Sequence, residues 1–265
     1  MATDRNAPNP ALGSFERPVV LPAESDDPKV LYAKSYLAIR TAVGLLAIAL
    51  PIVLILGEAI FLEGSVQVRG SISSYYHTPM RDVFVGTLSV CGFLLAMYMF
   101  GQRRLEYWYS LAAGLAALGV AFVPTGRPGI PESAPLCGAD AVPAGCGPVQ
   151  QLLGETTAAG VHFAFAVVFV LCLARIALIF AYREDEYTKR HGLANALRIC
   201  AWAIVAAILW IGVGGWLRLT IWRLTPLYVG EVVAVWAFGI SWLLKGGFAQ
   251  RFLPAPRPDR DAATT

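Results

Sequence analysis

The chain has 265 residues and a mass of 28.5 kDa, with 57% hydrophobic and 15% charged residues, against roughly 45–50% and roughly 25% in ordinary soluble domains. The apolar excess gathers into runs long enough to cross a bilayer, which excludes a soluble globular enzyme, a disordered chain and a small disulfide-framed secreted domain. The formal net charge is +3 and no basic run is dense, so nucleic acid is not expected as a partner.

Residues 1–36 read as a polar, partly disordered tail rich in Pro, Asp, Asn and Ala, with no cleavable signal peptide. Six runs then come close to the ~20 residues that a transmembrane helix needs: 41–61, 82–101, 107–123, 160–180, 199–217 and 227–244. None alternates strictly, and hydrocarbon offers no water to satisfy an open backbone, so helices are expected rather than a barrel. The expected fold is all-α, a polytopic transmembrane bundle of six spans within residues 37–252. Between the third and fourth runs, residues 124–157 contain Pro124, Pro128, Pro131, Pro135, Pro143 and Pro148 and should form an irregular extracytoplasmic cap. Residues 253–265 read as a second tail.

Basic residues resist translocation, and their distribution orients the bundle. With both termini cytoplasmic, the inner side receives fifteen Lys and Arg: Arg5, Arg17, Lys29, Lys34, Arg40, Arg103, Arg104, Arg183, Lys189, Arg190, Arg198, Lys245, Arg251, Arg257 and Arg260. The outer side keeps five, Arg69, Arg81, Arg127, Arg218 and Arg223, while Arg175 lies within a run and can snorkel inward. Cys137 and Cys146 are the only cysteines outside the apolar runs, and both fall in the outer cap, where an oxidising compartment permits a disulfide. Cys91, Cys172 and Cys200 read as small core residues.

Ionisable groups inside a bilayer are costly and point to interiors or cavities. Glu58, Asp82, His162 and Glu231 all fall near the outer end of their runs, and only Arg175 lies toward the inside. The densest polar stretch at the membrane edge runs from Gly70 to Asp82 and includes Ser71, Ser73, Tyr75, Tyr76, His77, Thr78 and Arg81. Pro79 suits a first helical position with Thr78 as its cap, and the free N–H groups there, flanked by His77 and Arg81, favour an anion. Ser71, Ser73, His77, Thr78 and Arg81 are therefore candidate contacts for a phosphate or carboxylate headgroup. His77, Asp82, His162 and Glu231 include the side-chain types that zinc accepts, with room for an activated water. The plainer alternative makes Tyr75, Tyr76 and His77 an interfacial belt, with Asp82 paired to Arg81, Arg218 or Arg223.

The stretches SISSYYHTPMRDVFVG (71–86) and EVVAVWAFGISWLLKG (231–246) resemble uncharacterised bacterial multi-span proteins, which implies a bacterial inner (plasma) membrane, multi-pass. More remotely, Ser73, His77 and Asp82 are similar to the SxxxH and Asp elements of the alkaline ceramidase and adiponectin receptor-like superfamily of metal-dependent hydrolases. That fold has seven helices and draws two further histidines from a late HxxxH, which this chain lacks.

Two functional classes follow. One is a non-catalytic binding, transport or receptor-like protein whose outer-leaflet pocket takes an anionic lipid headgroup or small solute. The other is a metal-dependent hydrolase of a lipid-like amide or ester, with His77 and His162 as ligands, Asp82 or Glu231 as ligand or general base, and Ser73 and Tyr76 stabilising the oxyanion. Zinc is the cofactor this second class implies. Membrane lipids are the expected partners of either, and Gly212, Gly214 and Gly215 permit close approach of a neighbouring helix from this chain or from a second copy.

Overall fold

The computed structural model describes residues 28–61, 68–98, 105–131, 133–139, 141–221 and 224–246. The expected tails lie outside these residues except for 28–36, as do Arg103, Arg104 and Arg223. Seven α-helices account for most of the described chain: α1 (Pro28–Phe61), α2 (Arg81–Met97), α3 (Leu105–Phe122), the short α4 (Pro148–Leu153), α5 (Glu155–Tyr187), α6 (His191–Trp216) and α7 (Pro226–Lys245). A 3₁₀ turn, Ser73–His77, precedes α2. Outside the helices, Ile221 and Leu224 form an isolated bridge.

Helices α1, α3, α5, α6 and α7 are long and apolar enough to cross a membrane. At 17 residues, α2 is shorter than these five. Leu56, Phe93, Leu115, Phe163, Trp202 and Leu209 are each more than half exposed on the bundle's outer face. An apolar surface that wide is anomalous in water and ordinary against lipid.

Antiparallel neighbours close the six longer helices into a ring in the order α1, α2, α3, α5, α6, α7 and back to α1. Small residues set the closest crossings. A Cβ on Gly44 of α1 would stand 2.8 Å from the Gly239 carbonyl of α7, and one on Gly114 of α3 would stand 2.5 Å from the Gly92 carbonyl of α2. Backbone approach of this kind supplies packing where lipid tails remove the hydrophobic drive between helices.

Two apolar cores fill the ring. The first, built on Val43, Leu95, Phe180, Leu197, Ile204, Phe238 and Trp242, occupies the end where the described chain begins and finishes, called here the tail end. The second, built on Leu54, Ile72, Tyr75, Met80, Phe84, Leu88 and Tyr228, lies at the opposite, cap end.

Several expected boundaries shift, among them the start of the fifth run, at His191 rather than 199. The first helix begins at Pro28 rather than near residue 41, and the fourth run begins at Glu155 and continues to Tyr187 rather than covering only 160–180. The cap includes helix α4. In each long helix the extra turns carry charged residues that find partners within the fold, so they need not leave the helix for water.

Cys137 and Cys146 are joined by a disulfide with 5.7 Å between their Cα atoms. Beside it, the buried Glu155 carboxylate accepts hydrogen bonds from Arg127 Nη2 at 2.9 Å, Arg127 N at 2.7 Å and Cys137 N at 3.1 Å. One carboxylate therefore ties both arms of the cap to the first turn of α5, where the helix dipole also favours a negative charge.

Candidate functional site

The polar stretch before α2 folds into a compact turn whose hydroxyls largely satisfy one another. Ser71 Oγ contacts Ser74 Oγ at 2.7 Å and Ser73 Oγ at 3.1 Å, and it accepts the Ser74 N–H. Thr78 donates its hydroxyl to Tyr75 O and accepts the Met80 N–H, but α2 begins at Arg81 with Met80 at its N-cap, so Pro79 and Thr78 lie in the turn before the helix rather than at its first position and cap. Ser71 and Ser73 are buried. Arg81 donates to the Tyr76 hydroxyl at 2.9 Å and lies 4.5 Å over the Tyr76 ring.

The residues expected to share a metal separate into distinct groups. His77 Nε2 is 2.8 Å from Thr125 O and His162 Nδ1 is 2.7 Å from Val123 O, so the 3₁₀ turn and α5 present both rings to one short stretch of cap backbone. Each ring must place a proton on that nitrogen to donate to the carbonyl. Gln150 Nε2 also donates to Thr125 O. Asp82 is exposed on the first turn of α2, with no described partner. Glu231 turns to the other side of the 3₁₀ turn and accepts the Ile72 N–H. Among the described residues, no group of three or more His, Cys, Asp and Glu side chains is placed to hold a metal ion. The zinc expected on His77, Asp82, His162 and Glu231 thus has no shared centre, and Ser73 has a serine neighbour rather than a general base.

A different cluster occupies the interior at the cap end, where α1, the 3₁₀ turn and α7 meet. Glu58 is fully buried and forms an ion pair through Oε1 with Arg69, whose Nε donates at 2.8 Å and whose side chain is 29% exposed. Glu58 Oε2 has no hydrogen-bond partner among the described residues, and neither does the fully buried Tyr75 hydroxyl. Burial pushes the Tyr75 hydroxyl above its ordinary range despite the opposing influence of the Arg69 backbone, so it stays a neutral phenol. Tyr228 interacts electrostatically with both Tyr75 and Glu231, which links the two carboxylate sites through a pair of rings. Arg69 pairs with Glu58, while Glu231 is a second carboxyl whose described partner is the Ile72 N–H.

The tail end carries a third cluster, built around Arg40, that hydropathy does not single out. Arg40 of α1 donates from Nε to Tyr98 Oη at 3.1 Å, from Nη2 to Tyr36 Oη at 3.0 Å and from Nη1 to Lys245 O at 3.0 Å. Its guanidinium carbon lies 4.4 Å from the Tyr36 ring centre and 5.4 Å from those of Tyr98 and Phe180. Lys245 of α7 pairs with Glu184 of α5, and Arg183 Nε of α5 is 2.8 Å from Glu106 of α3. Glu106 and Glu184 each sit at the end of an apolar run, where they resemble solvated flanking charges. The apolar pattern alone does not reveal that they turn inward. Arg175, by contrast, is exposed and lies 5.5 Å from the Tyr109 ring.

No family model, curated protein or solved structure matches the chain.

Proposed function

We propose that this is a non-catalytic, multi-pass membrane protein that binds a small solute bearing an ammonium group at the cap-end cluster of Glu58, Arg69, Tyr75, Tyr228 and Glu231. The observation that carries the reading is the pair of fully buried polar atoms with no hydrogen-bond partner among the described residues, Glu58 Oε2 and the Tyr75 hydroxyl, in a cluster that also holds the Glu231 carboxyl. An unsatisfied buried polar group costs ~1–3 kcal/mol, more for a charged one, and an occupant that donates to both relieves that cost. Carboxylates with aromatic faces nearby are the chemistry that recognises ammonium ions. The anionic headgroup expected at Ser71, Ser73, His77, Thr78 and Arg81 is less well served, because those hydroxyls already bond within the turn.

In this reading the cap faces the outside and α2 serves as a short sixth span. The cap disulfide and the excess of Lys and Arg toward the tail end both support that orientation. A bacterial inner membrane suits this arrangement.

The test uses the purified full chain in detergent, titrated with methylammonium and with choline at constant ionic strength. A saturable rise in melting temperature with either, lost in Glu58→Gln and in Glu231→Gln, is expected. No rise, or the same rise in both variants, refutes the proposal.

A further inference from the structure

The tail-end cluster is rich in cations. We infer that it holds a bound anion, a phosphate group, between Arg40 and Lys245 under the rings of Phe180 and Trp242. The argument begins with charge. Glu106 faces Arg183, and Glu184 faces Lys245 and interacts with Arg190 as well. Arg40 is left with two phenolic hydroxyls and one carbonyl as acceptors, and with no carboxylate among the described residues. Neutral acceptors do not cancel its charge, and Lys245 adds repulsion because the two cations share the Phe180 ring, 5.4 and 5.8 Å from its centre. A cation that is both enclosed and uncompensated is costly in a membrane protein.

A second observation is independent of charge. Trp242 is fully buried against Tyr98, Phe180 and Phe238, and its Nε1–H has no hydrogen-bond partner among the described residues. A donor held this way needs an acceptor. A phosphate oxygen provides one and supplies the missing negative charge beside the Arg40 guanidinium.

Phosphate here has two sources: a free ion, or the headgroup of an anionic lipid in the adjoining leaflet. The full chain is melted in three media at matched ionic strength: detergent alone, detergent with inorganic phosphate, and detergent micelles doped with phosphatidylglycerol, with phosphatidylcholine doping as the control. A melting-temperature rise of about 5–10 °C at a hundredfold excess over Kd is expected. A rise with inorganic phosphate assigns a free anion, and a rise with phosphatidylglycerol alone assigns a lipid headgroup. Arg40→Gln should abolish the rise, and Trp242→Phe, which keeps the ring and removes the N–H, should reduce it. Should Arg40→Gln fail to fold, Arg40→Lys serves in its place and should weaken the response by losing the planar fork. The inference is overturned if neither probe shifts the wild-type chain, if sodium chloride at the same ionic strength shifts it equally, or if the variants respond as the wild type does. None of these outcomes depends on whether the cap-end cluster binds an ammonium ion.

Discussion

Replacing Arg127 by Ala removes the cation from the cap latch and leaves the Glu155 carboxylate with only backbone donors. The two side chains are 8% and 5% exposed, so this is a buried pair rather than a surface one. Breaking a buried pair from one side typically costs ~3–5 kcal/mol, because the remaining charge stays desolvated. A surface pair costs ~1 kcal/mol or less. Arg127 also donates to Pro135 O and Ala144 O, and Glu155 accepts from Cys137 N, so the loss falls on the cap rather than on the helix ring. Local opening of the cap should then become more frequent by roughly two to three orders of magnitude, at 1.4 kcal/mol per decade. Limited proteolysis reads that opening as faster cleavage between residues 128 and 146, with global melting changed less. The double variant Arg127→Ala/Glu155→Ala should cost less than the two single changes combined, since removing both charges leaves none stranded. Single variants that cut no faster than wild type, with additive effects, would show the pair to be solvated and the latch argument mistaken.

Four further outcomes are expected. Gly114→Ala should lower stability by ~1–3 kcal/mol, because its Cβ would meet the Gly92 carbonyl at 2.5 Å and Ala96 N at 2.6 Å. The matched control Gly86→Ala, where a Cβ meets nothing within 4 Å, should be neutral or stabilising in the same melt. Separating Cys137 from Cys146 by mild reduction should destabilise the cap by ~3 kcal/mol through the short loop that the bond closes, and protease sensitivity measures it. Placed in a cysteine-free background, Ser133→Cys should react with an impermeant maleimide on intact cells and Lys189→Cys only after permeabilisation; the reverse pattern refutes the orientation.

The helix interiors were legible because hydrophobicity alone specifies them, from Val43 to Leu54 in α1 and from Phe163 to Phe180 in α5. The helix ends were not. Arg40, Glu155 and Glu184 look like residues that stop a span, yet each is enclosed by partners distant in sequence. A hydropathy pattern registers the charge and not its partner. Depth along a helix was also legible, and it placed His77 and His162 at the level where both meet the cap backbone. The face of the helix was not, since an almost uniformly apolar span has a weak polar side. Glu231 and the two histidines therefore have separate partners, the Ile72 N–H for the one and the Thr125 and Val123 carbonyls for the others.

The two interior clusters also bound what the bundle can do between them. On α1, Arg40 and Glu58 lie eighteen residues apart, roughly 27 Å at 1.5 Å per residue, close to the ~30 Å thickness of a bilayer's hydrocarbon. The cap-end cluster is rich in carboxyl and phenol groups and the tail-end cluster in cations, so the two occupants proposed above differ in kind. Between them the ring is filled by the two apolar cores, and the buried hydroxyls of Ser110 and Ser241 are turned back onto the carbonyls of Leu95 and Phe238. An ion crossing that stretch would give up its hydration without gaining ligands, at a cost of several kcal/mol or more. On the readings proposed above, the two occupants therefore bind separately, one at each end of the bundle, rather than sharing an open path. Any coupling between them has to pass through the rigid lengths of α1 and α7, which contribute side chains to both clusters.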